Sequence, residues 1–483
     1  MLRRFVAAFA IIIAAAFVGV RPAAAQFGGA STPIPAGQVD MNQLVTEAQG
    51  WLTDMISIDT TNPPGNEGQA AKYVAGVLQK ENIPNEIVEL APGRAVTIGR
   101  LQAGPLPNPS TALLLLAHLD VAGVDKAKWT VDPFGVNVKG GYIYGRGSID
   151  DKSMVAANLA VMVALKRAGT RLDRDVIFLA DDDEEAGGNA GMKLLITKYW
   201  DKIACGFALN EGGEVVQQGA KVQYVGIQAS EKVPYDITVT ATGPSGNASV
   251  PRPDSAVTHL ATAVSKIGAM QTPAQLLTIT RRYFEQLSQI EDDDIGKWMR
   301  AIETPERADL AAIRLSAMSP EWGAMLRDTV TATQLEAGIR SDVVPSEATA
   351  TLDVRVLPGN SIDAIMAQLQ KTVDDPQVKF KVSSDSGITA PPSNLDSELY
   401  KAIERVVPRE FPGAATVPML STVATDSSEL RLHNVQALGL LPFPLSEADR
   451  ERMDGDDERI PIASFHTGVE FLYKAVYEFA AAK

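Results

Sequence analysis

Three short, nearly uninterrupted apolar runs stand out along the chain: Thr111 to Ala117, Asp175 to Ala180 and Gly206 to Leu209, each running straight into polar residues. Runs of this length between turn residues predict strands buried on both faces. Apolar positions three and four apart predict helices over Met41 to Ile56, Gly68 to Glu81, Ser153 to Arg167 and Gly191 to Tyr199. Up to about residue 230 such strands and helices alternate, which predicts an α/β domain with a mostly parallel sheet. From residue 233 the period changes. Tyr235 to Thr240, Ala348 to Val356 and Val378 to Ser383 alternate apolar and polar residues, as half-buried strands do. Helical spacing marks Ser255 to Ile267 and Ser361 to Val373, and a long polar, helix-rich stretch fills about 270 to 335. This predicts an α+β domain, 233–388, inserted into a discontinuous catalytic domain made of 41–232 and 389–483, the latter closing with an amphipathic helix from Ser464 to Ala480.

The N-terminus belongs to neither domain. Arg3 and Arg4 precede the apolar run Phe5 to Val20, and Ala23-Ala24-Ala25 offers a small-residue cleavage site. This predicts a cleaved secretory signal over 1–25 and a periplasmic or secreted protein; an uncleaved anchor is the alternative. Residues 26–40 are rich in Gly, Pro and Ser and read as a flexible leader. No other segment is apolar enough to span a bilayer, so no membrane association is expected once the signal is removed.

The chain carries a net charge of −15, and loss of Arg3, Arg4 and Arg21 with the signal makes it more acidic still. That balance argues against a nucleic-acid partner, since phosphate binding needs clustered Lys and Arg. Cys205 is the single cysteine, which excludes an intramolecular disulfide and a multi-thiolate metal site. Any metal must be held mainly by carboxylates and imidazole.

Those groups gather where the runs end. His118-Leu119-Asp120, Asp150-Asp151, Asp181 to Glu185 and Asn210-Glu211 are four short polar clusters, three of them at predicted strand ends. In an open α/β sheet the carboxyl ends of the strands share one edge, where ligands bind. His118 and Asp120 are two apart and point to one side, so the acid can fix the imidazole tautomer while the ring binds metal. Five successive carboxylates beside a buried strand repel one another, and a divalent cation relieves that repulsion. His118-Leu119-Asp120 or the run Asp181 to Glu185 taken alone fits a solvated loop better than a metal site, and it is the whole constellation that reverses this; Asp151 also fits a helix N-cap. Gly145 and Gly147 do not form a dinucleotide-binding GxGxxG. Trp129, Tyr142 and Tyr144 read as packing residues, and His259, His433 and His466 as surface, unassigned and capping residues respectively.

The quoted clusters, in the order LLLLAHLDVAG, WTVDPFGVNVKGGYIYGRGSIDDKS, DDDEEAGG and ALNEGG, together with SIDTTNPPGNE, VVPSEATATLDVRVLPG, ATDSSELR and DDERIP, resemble the co-catalytic zinc exopeptidases and amidohydrolases that include aminoacylase, glutamate carboxypeptidase, carnosinase and acetylornithine deacetylase. The resemblance implies a zinc-exopeptidase-like fold with an inserted lid or dimerisation domain. It implies His118 and Glu211 as ligands of one ion, Asp150 as the bridging carboxylate, Glu185 as a ligand of the second ion, Glu184 as general base and Asp120 as the residue steadying His118. It also implies Arg355 as a contact for a substrate carboxylate, although a strand arginine paired with a nearby acid fits equally well.

The chain departs from that family at two functional positions. Asp454 stands where a histidine ligates the second ion, and Asn247 where a lid histidine stabilises the tetrahedral intermediate; Asp342 also replaces a common asparagine. Asp454 retains a ligand oxygen, favouring harder ions such as manganese, and Asn247 retains a donor without the charge. The expected function is hydrolysis of the amide bond of a dipeptide, a C-terminal residue or an N-acyl amino acid. Two divalent ions, zinc or else manganese or cobalt, would serve it, and the inserted domain would pair two copies in a homodimer. A non-catalytic or weakly active binding protein is the alternative that Asn247 and Asp454 raise.

Overall fold

The computed structural model describes residues 39–385 and 389–482. The signal, and the leader as far as residue 38, lie outside the described residues. Asp40, the leader's last residue, caps the first helix, Met41–Ile56, its Oδ1 accepting from the Gln43 amide at 3.1 Å.

Four parallel strands form the heart of a ten-stranded sheet, in the order Val176–Asp181, Leu113–His118, Phe207–Asn210 and Gln436–Gly439. Every residue of Leu113–His118 is buried. Leu113, Leu115 and Ala117 enter a large core on one face; Leu114 and Leu116 enter a smaller one on the other. The uninterrupted apolar run is therefore what a strand with two covered faces requires. The helices Met41–Ile56, Lys152–Arg167 and Ile462–Ala480 cover the first face, and Met192–Ile203 with Ser427–Leu432 covers the second.

The whole sheet is mixed: five of its nine pairings are parallel, as expected of the centre, and four antiparallel ones flank it. The hairpin Asn85–Ala91 with Arg94–Leu101 adds antiparallel strands at one side. On the other, Lys221–Glu231 pairs antiparallel with Glu214–Gln218 and Gln436–Gly439, and parallel with Ala415–Ser421. Short turns such as Pro92-Gly93 permit only antiparallel neighbours, because a parallel return needs a long crossover.

A second sheet is wholly antiparallel, in the order Thr329–Ala337, Glu347–Val356, Val233–Thr242 and Val378–Asp385. Its strands bury alternate residues, Val233, Tyr235, Ile237 and Val239 among them, under the helices Ala256–Gly268 and Ile362–Val373. The other face is polar. Two details of 233–388 differ from the sequence reading. Thr329–Ala337 is an edge strand rather than part of a helical stretch, its β-branched residues favouring extended backbone. The helices between Thr278 and Met325 bury Ile279, Tyr283, Phe284 and Leu315 in the large core, not in that of the four-stranded sheet.

Candidate metal centre and cleft

The parallel strands end side by side, so His118 pairs in register with Asp181. The His118 ring is buried. Its Nδ1 lies 2.9 Å from the Asp120 carbonyl oxygen, and its Nε2 lies 3.0 Å from Asp150 Oδ1 and 3.8 Å from Glu211 Oε2. A proton on Nδ1 directed at that carbonyl leaves Nε2 free to bind a cation. Burial alone would lower the His118 pKa, but Asp120, Asp150 and Glu211 outweigh it and raise it well above the ordinary value.

Two sets of potential ligand atoms share this ring: His118, Asp150 and Glu185, and His118, Asp151 and Glu211, each set lying within 4.8 Å. Burial, reinforced by the neighbouring carboxylates, pushes Glu185 up to about 8 and raises Glu184, Glu211 and Asp151 well above the carboxylate range. Glu185 Oε1 and Asp151 Oδ1 are buried with no hydrogen-bond partner among the described residues. Buried acids that repel one another and lack donors suit a divalent cation, which would satisfy both deficits at once.

Asp120 organises the centre without joining either set. Its carboxylate accepts from Asn62 Nδ2 at 2.8 Å and from the amides of Glu184 and Glu185 at 3.3 and 3.1 Å. Burial would raise its pKa, yet His118, Asn62 and the Glu185 amide hold it below the ordinary value. One acid thereby ties the strand end of His118 to the loop carrying Glu184 and Glu185.

Asp151 and Glu458 went unassigned in the sequence. Asp151 sits at the start of the helix Lys152–Arg167, but its side chain makes no capping bond. It turns inward, Oδ2 accepting from the His118 amide at 3.3 Å. Glu458 is fully buried and receives Arg146 Nη1 at 2.7 Å and the amides of Gly147, Ile149 and Asp150 at 3.1, 2.7 and 3.2 Å. It shapes the loop that delivers Asp150. The charged neighbour following Asp150, and an acid beside an arginine in DDERIP, were the only sequence signals for either.

The remaining candidates are dispersed. Asp454 stands near enough for Asp150 to help burial push its carboxyl up to about 6, but it belongs to neither ligand set. Its Oδ1 lies 3.6 Å from Arg146 Nη1, and its carbonyl receives Arg146 Nη2 at 2.7 Å. Asn247 is exposed on a two-residue strand, its Oδ1 accepting from the Ser249 amide at 2.9 Å. His259 pairs with Asp375 at 2.6 Å, His433 stacks on Trp200 and His466 meets Gln49 at 3.0 Å, so none joins the centre. Trp129 packs against Arg146, and Tyr142 and Tyr144 against Arg459.

A cleft of about 380 Å³ opens beside the centre, with Glu184 and Glu185 on one side and Pro234, Asp353 and Arg355 of the four-stranded sheet on the other. Arg355 faces this space already held by Asp353, Nε and Nη2 donating at 3.0 and 2.9 Å.

Comparison with known proteins agrees with this architecture. The family model described as peptidase family M20/M25/M40 matches residues 114–478. The chain is 30% identical to a probable carboxypeptidase S-like 2 of Dictyostelium discoideum, over 75% of this chain and 71% of that protein. It is 27% identical to human aminoacylase-1, over 86% and 91% of the two chains. The fold matches an M20 family metallo-carboxypeptidase from Sulfolobus solfataricus with a TM-score of 0.67 at 16% identity, covering 90% of this chain and 99% of that one.

Proposed function

The chain belongs to peptidase family M20/M25/M40 and is a hydrolase of peptide or amide bonds, and we propose that it uses divalent ions to hydrolyse dipeptides, C-terminal residues or N-acyl amino acids. The observation that carries the metal-dependent reading is the pair of ligand sets meeting at His118, with orphaned carboxylate oxygens in each. In this reading His118, Asp150, Asp151, Glu185 and Glu211 would hold two ions, zinc or else manganese or cobalt, with Asp454 near Asp150 as a further oxygen ligand. Such ions, when bound, acidify water and polarise a carbonyl.

The protein's own groups do the rest. Glu184 lines the cleft beside the ligands, takes a proton from the attacking water and returns it to the leaving amine. Asp120 fixes the His118 tautomer and the position of the Glu184 backbone. Arg355 meets a substrate carboxylate, in competition with Asp353. Asn247 enters this scheme only if a second copy brings it to the cleft, and the edge strand Thr329–Ala337 with exposed Leu335 and Ile339 is the surface through which two copies would pair. Export through the N-terminal signal would place the enzyme in the periplasm or outside the cell.

Metal-loaded protein should cleave members of a panel of dipeptides and N-acyl amino acids, and a chelator should abolish the activity. Glu184→Gln should lower kcat by about 10²–10⁴-fold while divalent binding persists. No cleavage of any member, or an unaltered rate in Glu184→Gln, would overturn the proposal and favour a binding protein instead.

A further inference from the structure

Beside the metal centre the cleft carries further charges of its own. Three basic side chains line it, and each is already engaged. Arg355 is held by Asp353 through two nitrogens. Lys232 Nζ donates to the carbonyls of Ala324 and Arg327 at 3.2 and 2.9 Å and to Thr329 Oγ1 at 3.0 Å. Lys193 Nζ donates to the Gly187 carbonyl and Asn189 Oδ1, with Glu429 at 3.9 Å.

The acids are less well provided for. Asp236 is exposed on the strand Val233–Thr242 and lies directly opposite Asp353 in the antiparallel ladder. Like charges in that relation destabilise a sheet, and Arg355 neutralises only one of them. On the floor of the cleft, Glu231 is 6% exposed. Its Oε2 accepts from Gln228 at 2.7 Å and Thr425 at 3.0 Å and faces Arg431, while its buried Oε1 has no hydrogen-bond partner among the described residues. Arg431 already balances the Glu231 charge, so the orphaned oxygen calls for a donor and the surplus aspartate for a positive charge, and a cationic donor supplies both. Among the described residues of the lining each cation is already engaged, and a substrate carboxylate that drew Arg355 away would leave Asp353 and Asp236 both without a partner charge.

We propose that this cleft selects substrates bearing a cationic group, an ammonium or guanidinium, which Asp236 and Glu231 receive. The inference rests on the hydrolase reading and names its substrate class: an unblocked dipeptide through its α-ammonium, or a lysine or arginine residue through its side chain.

Binding to metal-loaded protein tests this independently of turnover. Four probes isolate the chemistry: N-acetyl-lysinamide carries only the side-chain cation, norleucinamide only the α-ammonium, N-acetyl-norleucinamide neither, and N-acetyl-isoglutamine an acid. By calorimetry at low salt, at least one cationic probe should bind about tenfold more tightly than the neutral one, and which of them does so identifies the source. Asp236→Asn should reduce that ratio severalfold, and added salt should shrink it. Equal or tighter binding of the neutral probe than of both cationic ones, or a ratio unaltered in Asp236→Asn, would overturn the proposal. Charge-selective binding without amide cleavage would overturn the hydrolase reading alone, and cleavage without charge preference would overturn this one alone.

Discussion

At the scale of single residues, the centre depends on groups that never touch the proposed ions. Glu458 receives one guanidinium and three backbone amides, all from the segment Arg146 to Asp150. Burial pushes its carboxyl up to about 7 even though Arg146 and the Ile149 amide pull the other way. Replacing it by glutamine keeps the volume but sets an amide NH₂ or a weaker acceptor against those donors. Glu458→Gln should therefore fold, yet bind divalent ions about 10–100-fold more weakly, as loss of groups supporting ligands commonly does. Glu458→Ala strands the Arg146 charge as well and should cost about 3–5 kcal/mol of stability. Chelator competition and thermal melts of both variants would measure this; metal affinity equal to wild type in Glu458→Gln would refute the positioning role. His118, Asp120, Glu184, Glu185 and Glu211 could be put forward as candidates from the sequence because they follow recognisable strands, and Asp150 because the text around it resembles the family's. Asp151 and Glu458 were not, since the first resembles a helix cap and the second acts on a loop more than 300 residues away.

Elements were most legible where burial is two-sided. The runs at Leu113–His118, Val176–Asp181 and Phe207–Asn210 were placed within about two residues, because a strand covered on both faces has no polar positions to blur its edges. The strand Thr329–Ala337 was missed for the opposite reason: most of it is exposed, so hydrophobic periodicity leaves it no signature. Turn geometry is also written in the chain at Gly212-Gly213, which follows Glu211. Both residues have positive φ, and a Cβ on Gly213 would stand 2.4 Å from the Gly226 carbonyl oxygen and 2.6 Å from that of Gly439. Neither backbone can retreat without breaking the ladder that carries Glu211. Gly213→Ala should lower the melting temperature and weaken metal binding together. Gly50 lies inside the helix Met41–Ile56 with nothing near its absent Cβ, so Gly50→Ala should instead gain about 0.5–1 kcal/mol. Denaturant melts of the pair test whether glycine is required by contact or merely tolerated.

Over the whole molecule, the sequence disclosed an α/β domain and a second, α+β one with half-buried strands more readily than strand direction, because connection length rather than composition decides which neighbours are parallel. It also showed a chain rich in acids, and the fold concentrates many of them where water is scarce. Burial is the leading cause that pushes Glu185 and Asp182 up to about 8, Glu458 to about 7 and Asp426 to about 6. Each folded value lies above the unfolded one, so the folded chain binds more protons, and metal-free stability must fall as pH rises through the interval from about 4 to 8. His118, raised by its carboxylate neighbours, contributes in the same direction as pH passes its folded value. The buried amines oppose this only at the alkaline end: Lys152 and Lys232, lowered by burial to about 7 and 8, make stability rise with pH from there toward the ordinary lysine value. The metal-free protein should thus melt about 3 °C or more higher at pH 5 than at pH 7.5. Divalent ions bind the deprotonated ligands and only in the folded state, so saturating zinc or manganese should raise the melting temperature most near pH 7.5 and flatten or reverse that slope. Calorimetric scans across this range, with and without each ion, would decide it: a metal-free protein whose stability rises from pH 5 to 7.5 would contradict the buried-acid account of the centre.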